Sequence, residues 1–335
     1  MKTVAVVIPC RNEEKYIGAC IRSVLQQTIP VKEIFICDGL STDGTKKIAE
    51  DFSARHPEVK CVDNTKQTTP YALNLGIKNS TSDVVIILGA HAELDKDYVK
   101  YCLEVFEKDS AIGCAGGIIE NRNENDASEI ISLAMSSPFG VGNAHFRTGA
   151  KSGYVDTVAF GAYRKEVFEK AGYFDEELAR NQDDEFNFRI SKHGFKIYLD
   201  ERIRSVYFVR GSYAKLRKQY YQYGFWKVYV NKKHKIITTI RQLFPALFIL
   251  FLFSGAITSF FSVWILWAYL GVIVLYVICA NWFAWQKTGN PGKMIQVIFV
   301  FFILHFAYGT GYWAGIFTFI LAGRKPKSQH HELTR

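Results

Sequence analysis

The sequence lacks the short motifs that identify several common functional classes. Its seven cysteines form no C-x-x-C pair and no zinc-ligand spacing, so zinc and dithiol redox sites have no support and we predict reduced, structural thiols. No G-x-G-x-x-G follows the first apolar run, and no G-x-x-x-x-G-K occurs. These absences argue against the usual dinucleotide-binding fold and against P-loop nucleotide hydrolysis.

Acidic residues are absent between Arg202 and Arg241, where basic residues recur throughout, and the whole chain carries a net charge of +9. Such a run could bind nucleic acid or an anionic membrane face. Because it immediately precedes long apolar segments, the membrane is favoured, and we predict no nucleic-acid partner.

A signal peptide is also absent, since the apolar run near the N-terminus is short and ends at Pro9. The soluble part is therefore expected in the cytoplasm. Composition divides the chain into four parts. We predict a soluble domain over 1–210, a basic and aromatic interfacial helix over 211–240, a transmembrane region over 241–323, and a basic polar tail over 324–335.

Short apolar runs alternate with helical patterns in the first part of the chain. The runs Val4–Ile8, Glu33–Cys37, Val59–Val62 and Val84–Leu88 predict strands of a mostly parallel α/β sheet. Ligands of such sheets bind beyond the carboxyl ends of the strands. The polar residues expected there are Arg11 to Glu13, Asp38 and the segment from Gly89 to Glu93.

A run of three carboxylates, Asp183, Asp184 and Glu185, begins a short helical pattern within R-N-Q-D-D-E-F-N-F-R. Acidic side chains favour a helix N-terminus, where exposed N–H groups carry partial positive charge. A carboxylate in this position can also act as a general base on a hydroxyl. From the spacing alone both interpretations stay open.

Segments of roughly membrane-spanning length cover 243–261, 263–283 and 295–322. A single third span would place Arg324 and Lys325 outside, against the positive-inside tendency, so we favour a hairpin around Gly309-Thr310-Gly311. His305 is the lone ionisable group well inside a predicted span, which argues against a transporter.

Five segments together resemble a known family. V-V-I-P-C-R-N-E-E, C-D-G-L-S-T-D-G-T, the strand ending at G-A-H-A-E, V-D-T-V-A-F-G-A-Y-R-K-E-V-F and the carboxylate run are similar to family 2 glycosyltransferases of GT-A fold. The membrane-anchored, chain-elongating enzymes of succinoglycan type are the most similar sub-group. The resemblance implies a multi-pass protein of the cell membrane with a cytoplasmic catalytic domain. It also implies inverting transfer from a nucleotide-sugar, a UDP-sugar in particular, to a hydroxyl of a lipid-linked (polyprenyl) saccharide.

The resemblance also assigns residues. Asp183 matches the family's base, Glu185 a helper, and Asp184 is a spare carboxylate. The family's D-x-D metal motif is altered, so Mn²⁺ or Mg²⁺ would be held by His91 and Glu93 with the donor's diphosphate. The nucleotide-sugar pocket would contain Pro9, Arg11, Glu13, Asp38 and Ala90. The acceptor and membrane interface would contain Arg147, Arg189, Gln219, Tyr220, Tyr223 and Trp226.

Three alternatives stay open. Arg147 lies in a Gly-rich stretch that is either a plain surface loop or a contact for an acceptor's phosphate. The enzyme could instead place one sugar on a polyprenyl phosphate, which needs no base. Gly89, where the family has an Asp, would also fit a degenerate, non-catalytic scaffold that binds nucleotide-sugars.

Overall fold

The structure, a computed structural model, describes residues 2–142, 144–149, 151–209, 211–238 and 240–326. Most of the predicted basic tail, from residue 327 onward, lies outside the described residues. The chain divides into two compact units. Unit 1 comprises Met1–Arg122 and His145–Phe208, and unit 2 comprises Asn123–Ala144 and Val209–Arg335.

Unit 1 contains one mixed sheet of nine strands in the order β3-β2-β1-β4-β8-β6-β9-β5, with β7 paired to β9. The strands are β1 Val4–Cys10, β2 Glu33–Asp38, β3 Val59–Asp63, β4 Val84–Ile87, β5 Ala92–Leu94, β6 Ile112–Arg122, β7 Gly153–Val155, β8 Ala159–Arg164 and β9 Lys196–Phe208. The first four strands are parallel, and β8 joins β4 antiparallel. The predicted α/β sheet is confirmed.

Thirteen helices lie within the described residues. They are α1 Ile17–Leu25, α2 Thr45–Arg55, α3 Thr69–Asn79, α4 Tyr98–Lys108, α5 Asp126–Met135, α6 Pro138–Val141, α7 His145–Thr148, α8 Lys165–Ala171, α9 Gln182–Lys192, α10 Tyr213–His234, α11 Phe244–Thr258, α12 Val263–Lys287 and α13 Pro291–Gly315. A 3₁₀ turn, Ile240–Leu243, precedes α11, and a π-type segment, Ile316–Leu321, continues α13.

Both faces of the sheet in unit 1 are buried. Along β1, Val4, Val6 and Ile8 pack into one hydrophobic core, whereas Ala5 and Val7 pack into the other. This alternation follows from the two-residue repeat of a strand. Because both faces are covered, the strand appears in the sequence as an unbroken apolar run, which is typical of parallel strands.

Unit 2 is helical and includes α5 and α6, which the sequence inserts between β6 and α7. By length and composition alone, three helical stretches among the described residues are apolar enough to cross a membrane: Ile240–Thr258, Val263–Lys287 and Pro291–Leu321. The last is one continuous helix, so the hairpin that we favoured around Gly309 does not form.

Candidate active site

Hydrogen bonds join the loops that follow β1 and β2. The Asn12 N–H donates to Ser41 Oγ over 2.9 Å, and the Glu13 N–H donates to Thr45 Oγ1 over 2.7 Å. Asn12 Oδ1 accepts the Thr42 N–H at 2.8 Å. Asn12 has a φ of 55°, a left-handed conformation that Asn tolerates better than most residues. The two loops therefore form one fixed rim at the carboxyl edge of the parallel strands, where such sheets bind ligands.

Asp43 stabilises this rim by accepting hydrogen bonds from both of its loops. Its Oδ1 accepts the hydroxyl of Thr45 at 2.6 Å and the Thr45 N–H at 3.0 Å, and its Oδ2 accepts the Glu14 N–H at 3.2 Å. Burial raises the pKa of Asp43, but the hydrogen bonds from Thr45 and Glu14 outweigh it and lower the pKa below its usual value. The sequence indicated only turn chemistry here and gave no reason to single out Asp43.

Asp38, a predicted nucleotide contact, is fully buried at the end of β2. Its Oδ2 accepts the Ser41 N–H at 3.0 Å, and its Oδ1 accepts the hydroxyl of Ser41 and the thiol of Cys10. The carboxylate therefore stabilises the turn after β2. It does not cap α2, whose N-cap residue is Gly44. Contact with a base or ribose stays a prediction for Asp38.

The other predicted nucleotide contacts also lie at or just beyond strand ends. Pro9 is half-buried and pairs with Cys37 of β2. The side chain of Arg11 lies against Gly39, where an added Cβ atom would be 3.3 Å from Arg11 Cβ. Ala90, between β4 and β5, is buried.

His91 contacts Glu13, which the sequence had assigned to a different role. His91 Nδ1 lies 3.4 Å from Glu13 Oε1, and both side chains are mostly buried. The ring of Tyr207 meets the His91 ring edge-on at 5.1 Å between centroids. The structure thus brings one predicted metal ligand and one predicted nucleotide contact together.

Glu93, the second predicted metal ligand, has a different partner. Its Oε1 lies 3.6 Å from Arg122 Nη1. Burial raises the pKa of the nearby Cys20 thiol, and the negative charges of Glu93 and Glu13 raise it further. Glu93 and Glu13 therefore both lie close enough to Cys20 to raise the pKa of its thiol. Glu93 does so although it is paired with Arg122.

The donor atoms of His91 and Glu13 can be compared with those that a divalent cation prefers. Within the described residues, no three His, Cys, Asp or Glu side chains form a group that could hold a metal. His91 and Glu13 nevertheless place one imidazole nitrogen beside one carboxylate oxygen, a donor pair that suits Mn²⁺. The arrangement fits a cation that arrives with oxygen ligands from a diphosphate. It does not fit a metal held by the protein alone.

The predicted base, Asp183, lies in the first turn of α9 and is exposed. Its Oδ1 accepts the N–H of Asp184 at 2.9 Å. Asn181, which precedes the helix, has a φ of 60° and provides no side-chain cap. An exposed carboxylate at a helix N-terminus is accessible to a substrate hydroxyl, as a general base must be.

Buried Glu185 and half-buried Arg189 form an ion pair one helical turn apart. Arg189 Nε and Nη2 donate to the two carboxylate oxygens of Glu185 over 2.9 and 2.8 Å. Arg189 also donates to the carbonyl groups of Ala171 and Tyr173. These bonds fix α9 to the segment after α8. The acceptor contact of Arg189 and the helper role of Glu185 stay predictions.

Arg147, on the short helix α7, has an uncommitted hydrogen-bond donor. Its guanidinium lies over the rings of Phe146 and Tyr207, with Cζ 5.4 Å from each ring centre. Its Nη1 is buried and has no acceptor among the residues that the structure describes. A buried guanidinium N–H without a partner is costly, and an anionic oxygen would satisfy it.

The predicted interface residues of α10 differ in exposure. Trp226 and Gln219 are buried within unit 2, whereas Tyr220 and Tyr223 are half-buried. Gln219 Nε2 donates to the hydroxyl of Tyr223 over 2.6 Å, and the Tyr220 and Tyr223 rings are 5.5 Å apart. The membrane-interface role of these residues stays a prediction.

Two aromatic residues around His91 were not predicted from the sequence. Tyr207 pairs with Ala92 across the β5–β9 ladder, which brings its ring to His91. The Phe160 ring lies beside Gly89, where an added Cβ atom would be 3.1 Å from Phe160 Cε1. Local sequence patterns carry no signal for these contacts, because they depend on strands that are far apart in the chain.

Comparison with known proteins gives consistent matches. The family described as Glycosyl transferase family 2 matches residues 5–172. A dolichyl N-acetyl-alpha-D-glucosaminyl phosphate 3-beta-D-2,3-diacetamido-2,3-dideoxy-beta-D-glucuronosyltransferase of Methanococcus voltae is 32% identical over 326 residues, covering 94% of this chain and 98% of the relative. Succinoglycan biosynthesis protein ExoA of Rhizobium meliloti (strain 1021) is 28% identical over 321 residues, covering 94% and 95%.

A solved structure shares the fold. Mannosyltransferase PcManGT from Pyrobaculum calidifontis, in complex with GDP-Man and Mn²⁺, matches with a TM-score of 0.60 over 88% of this chain and 86% of that chain. The sequence identity is 18%, so this likeness bears on the fold alone. The predicted GT-A-like fold is confirmed.

Proposed function

The chain belongs to glycosyltransferase family 2, and we propose that it is an inverting enzyme that transfers a sugar from a nucleotide-sugar to a hydroxyl of a lipid-linked saccharide. The observation that carries the proposal is the near full-length match to a relative whose printed name specifies a dolichyl-phosphate-linked saccharide. That match includes the C-terminal apolar helices as well as the strand-rich half. The second relative, named for succinoglycan biosynthesis, supports a role in polysaccharide or glycan assembly.

In the proposed reaction, Asp183 takes the proton of the acceptor hydroxyl. The hydroxyl oxygen forms a bond to the anomeric carbon while the bond from that carbon to the donor's phosphate oxygen breaks. The electron pair of the broken bond leaves with the nucleoside diphosphate. A single displacement of this kind inverts the anomeric centre. The exposed position of Asp183 at the start of α9 supports its role as the base.

The donor side is proposed to be the rim formed by the loops after β1 and β2. Arg11, Glu13 and Asp38, with Pro9 and Ala90, would contact the nucleotide-sugar, and UDP-sugars are the donors to test first. His91 would hold Mn²⁺ or Mg²⁺ with Glu13 or Glu93. When bound, the cation would offset the negative charge of the diphosphate.

Two separate acceptor contacts are proposed, one by Arg147 in unit 1 and one by the α10 residues Gln219, Tyr220 and Tyr223 in unit 2. The buried, uncommitted Nη1 of Arg147 supports contact with a phosphate of the lipid-linked acceptor. Trp226, which is buried, is proposed to position α10 rather than to touch the acceptor.

The three apolar C-terminal helices indicate a membrane-anchored protein. We propose that the catalytic domain faces the cytoplasm. Lys287 and Lys293 flank the loop between α12 and α13, and cytoplasmic loops collect such residues. Lys293 Nζ also donates to Glu129 of α5 over 2.6 Å, and α5 is inserted within the sequence of the catalytic domain. This pair supports a common side for that loop and the catalytic domain.

One observation favours a second function, transfer of one sugar directly to a polyprenyl phosphate. Arg147 offers a phosphate contact, and an ionised phosphate nucleophile needs no base. The two functions differ in their dependence on Asp183. Direct transfer to a phosphate tolerates Asp183→Asn, whereas transfer to a hydroxyl does not.

The test uses the full chain in native membranes, supplied with membrane lipid extract and a panel of radiolabelled nucleotide-sugars. We expect one donor to label an organic-soluble product. The newly formed linkage in that product should be no more labile to acid than an ordinary glycosidic bond. A product with the lability of a glycosyl phosphate would support the second function. Absence of transfer from every donor, with nucleotide binding retained, would favour a non-catalytic scaffold.

A further inference from the structure

The last apolar helix has different surroundings from the two helices before it. Half of the apolar window in Pro291–Leu321 is buried inside the protein, compared with 11% for Ile240–Thr258 and 6% for Val263–Lys287. A helix surrounded by lipid keeps its apolar side chains exposed to the acyl chains. α11 and α12 meet that description, whereas α13 is largely covered by protein.

The helix that covers α13 is α10, and the two run side by side in the same direction. Near their starts, the rings of Tyr213 and Phe299 lie 6.1 Å apart. Further along, Gly311 packs so closely against the backbone of Tyr221 that no Cβ atom would fit. Near the end of α10, the ring of Tyr229 lies 5.0 Å from that of Phe319, in the π-type segment that continues α13. The contact therefore extends along most of both helices.

α10 carries too much charge to lie in a hydrocarbon layer. Lys215, Arg217 and Lys218 are exposed near its start, and Lys232 and Lys233 are exposed near its end. Each Lys or Arg at the centre of a bilayer costs about 2.5–3.5 kcal/mol on insertion scales. The stretch between these charged groups is 13 residues, shorter than the roughly 20 that a span requires. A helix packed along α10 shares its environment.

Both ends of α13 are bonded to segments that precede the first span. At its start, Lys293 Nζ donates to Glu129 of α5 over 2.6 Å. At its far end, Lys232 Nζ of α10 donates to the carbonyl oxygen of Phe319. No candidate span lies before Ile240 among the described residues, so Glu129 and Lys232 are on the same side of any membrane. Because each bond is direct, both ends of α13 are on that side too.

Contacts with α11 agree with this arrangement. In its middle, α13 meets the first turns of α11: Trp313 Nε1 donates to the carbonyl of Ala246 over 2.9 Å, and Gly309 lies against Pro245 and Ile249. The middle of α13 also meets α12, where the hydroxyl of Tyr276 lies 2.9 Å from His305 Nδ1. A third span would continue along α11 toward Thr258. Instead, Gly315 packs against Phe225 of α10.

We propose that α11 and α12 form the transmembrane hairpin and that α13 lies at the membrane surface beside α10, with both of its ends on the side of the catalytic domain. Exposed side chains of α13 and of its π-type continuation include Ile295, Phe299, Phe302, Phe317 and Ile320, which suit the headgroup and acyl boundary of a bilayer. Arg324 and Lys325 then remain on the cytoplasmic side, as the positive-inside tendency requires. This proposal rests on the membrane anchoring that is part of the proposed function.

The test is the accessibility of single cysteines to a membrane-impermeant maleimide, in intact cells and in inside-out vesicles. The background is the full chain with Cys61→Ser and Cys279→Ala, because the other five native thiols are buried. Three positions are then compared: Phe260→Cys in the α11–α12 turn, Gly289→Cys in the α12–α13 loop, and Ala322→Cys after the π-type segment. All three residues are exposed.

We expect Phe260→Cys to react only in intact cells, and Gly289→Cys and Ala322→Cys to react only in inside-out vesicles. Reaction of Ala322→Cys from the same side as Phe260→Cys would overturn the proposal and make α13 a third span. Reaction of Phe260→Cys and Gly289→Cys from one side would overturn the spanning hairpin itself. Sugar transfer measured on the same membranes separates these outcomes from a failure of the proposed enzymatic function.

Discussion

His91 Nδ1 lies 3.4 Å from Glu13 Oε1, and this pair links the loop after β1 to the segment after β4. The two residues are far apart in sequence, and they are brought together because β1 and β4 are adjacent parallel strands. The pair occupies the part of the site where the family's metal motif is altered. It therefore gives a direct way to test whether these two side chains act as a unit.

The first prediction is a double-mutant cycle on this pair. His91→Ala and Glu13→Gln should each weaken Mn²⁺ binding in the presence of UDP by roughly 10-fold, a typical effect of disturbing a metal's ligand environment. If both contact one cation, the double variant should lose clearly less than the product of the single effects. Isothermal titration measures the Mn²⁺ affinities of the unsubstituted chain, the two single variants and the double variant. The surface pair His56→Ala and Glu58→Gln is the matched control. Unchanged Mn²⁺ affinity in His91→Ala would show that His91 is structural.

The second prediction separates the three adjacent carboxylates of α9. Asp183→Asn should lower kcat by roughly 100-fold or more and leave donor affinity unchanged, because only the proton acceptor is lost. Asp184→Asn is the matched control and should have a small effect. Glu185→Gln should instead destabilise the fold by about 3 kcal/mol, because Arg189 would keep a buried charge without its partner. Steady-state kinetics and thermal unfolding distinguish these effects. Near-normal turnover in Asp183→Asn would exclude it as the base.

The third prediction concerns the pH dependence of stability in unit 1. Burial raises the pKa of Glu33, but hydrogen bonds from Ser82, Thr81, Lys60 and Ser80 outweigh it and lower the pKa to about 2. Because the folded pKa is below the usual 4.5, Glu33 stabilises the fold above pH 4.5, and that contribution is lost as the pH falls toward 2. The difference amounts to roughly 3 kcal/mol.

Thermal midpoints of the detergent-solubilised chain at several pH values between 7 and 3 test this prediction. Glu33→Gln should be less stable at pH 7 and should lose less stability on acidification than the unsubstituted chain. Glu58→Gln, at a half-buried position in the same unit, should behave like the unsubstituted chain. Parallel curves for all three proteins would mean that Glu33 does not contribute.

Much of the fold of unit 1 could be predicted from the sequence, because the residue patterns that indicate its strands are local. The run at Val4–Cys10 and the run at Glu33–Asp38 are apolar since both faces of the parallel strands are buried. Polar residues that directly follow these strands had to lie at one edge. The placement of Arg11, Glu13 and Asp38 near each other followed from this rule alone.

The rest depended on pairings that sequence patterns do not encode. Tyr207 reaches His91 only through the antiparallel pairing of β5 with β9, more than a hundred residues later. Glu93 was expected to bind metal, yet its partner Arg122 comes from another strand. Gly309 and Gly311 resembled a turn, but they lie inside a helix, where the missing side chains allow close contact with the backbones of Pro245 and Tyr221.

The fourth prediction tests that close helix contact. Gly311→Val adds atoms where the carbonyl oxygen of Tyr221 already lies, so α13 must move away from α10. We expect a lower thermal midpoint and weaker activity on the lipid-linked acceptor. Gly271→Val is the matched control, because Gly271 is also inside an apolar helix but has nothing within 4 Å of an added Cβ atom. Equal midpoints for the two variants would contradict the packing of α10 on α13.

The last prediction concerns Gly89, the position at which the family has the first Asp of its metal motif. An added Cβ atom there would lie 3.1 Å from Phe160 Cε1, so a side chain at 89 requires the Phe160 ring to shift. The Phe160 side chain packs against the hydrophobic core, and its backbone is held in place, which opposes such a shift. Phe160 has a φ of 49°, and its carbonyl oxygen accepts the hydroxyl of the buried Tyr98 at 2.6 Å. Gly89→Asp alone should therefore lower the thermal midpoint and bring no gain in Mn²⁺ affinity.

Removing the ring should reverse that result. Phe160→Gly relieves the strain of the positive φ and removes the ring from the space beside residue 89. Gly89→Asp combined with Phe160→Gly should then bind Mn²⁺ in the presence of UDP roughly 10-fold more tightly than Phe160→Gly alone, because a charged oxygen ligand is added. Phe160→Gly by itself is the control for loss of the ring. Titration of Mn²⁺ at a fixed UDP concentration measures all four proteins. Tighter Mn²⁺ binding by Gly89→Asp with Phe160 still present would show that the ring is not the obstacle, and an unchanged affinity in the double variant would place the cation away from residue 89.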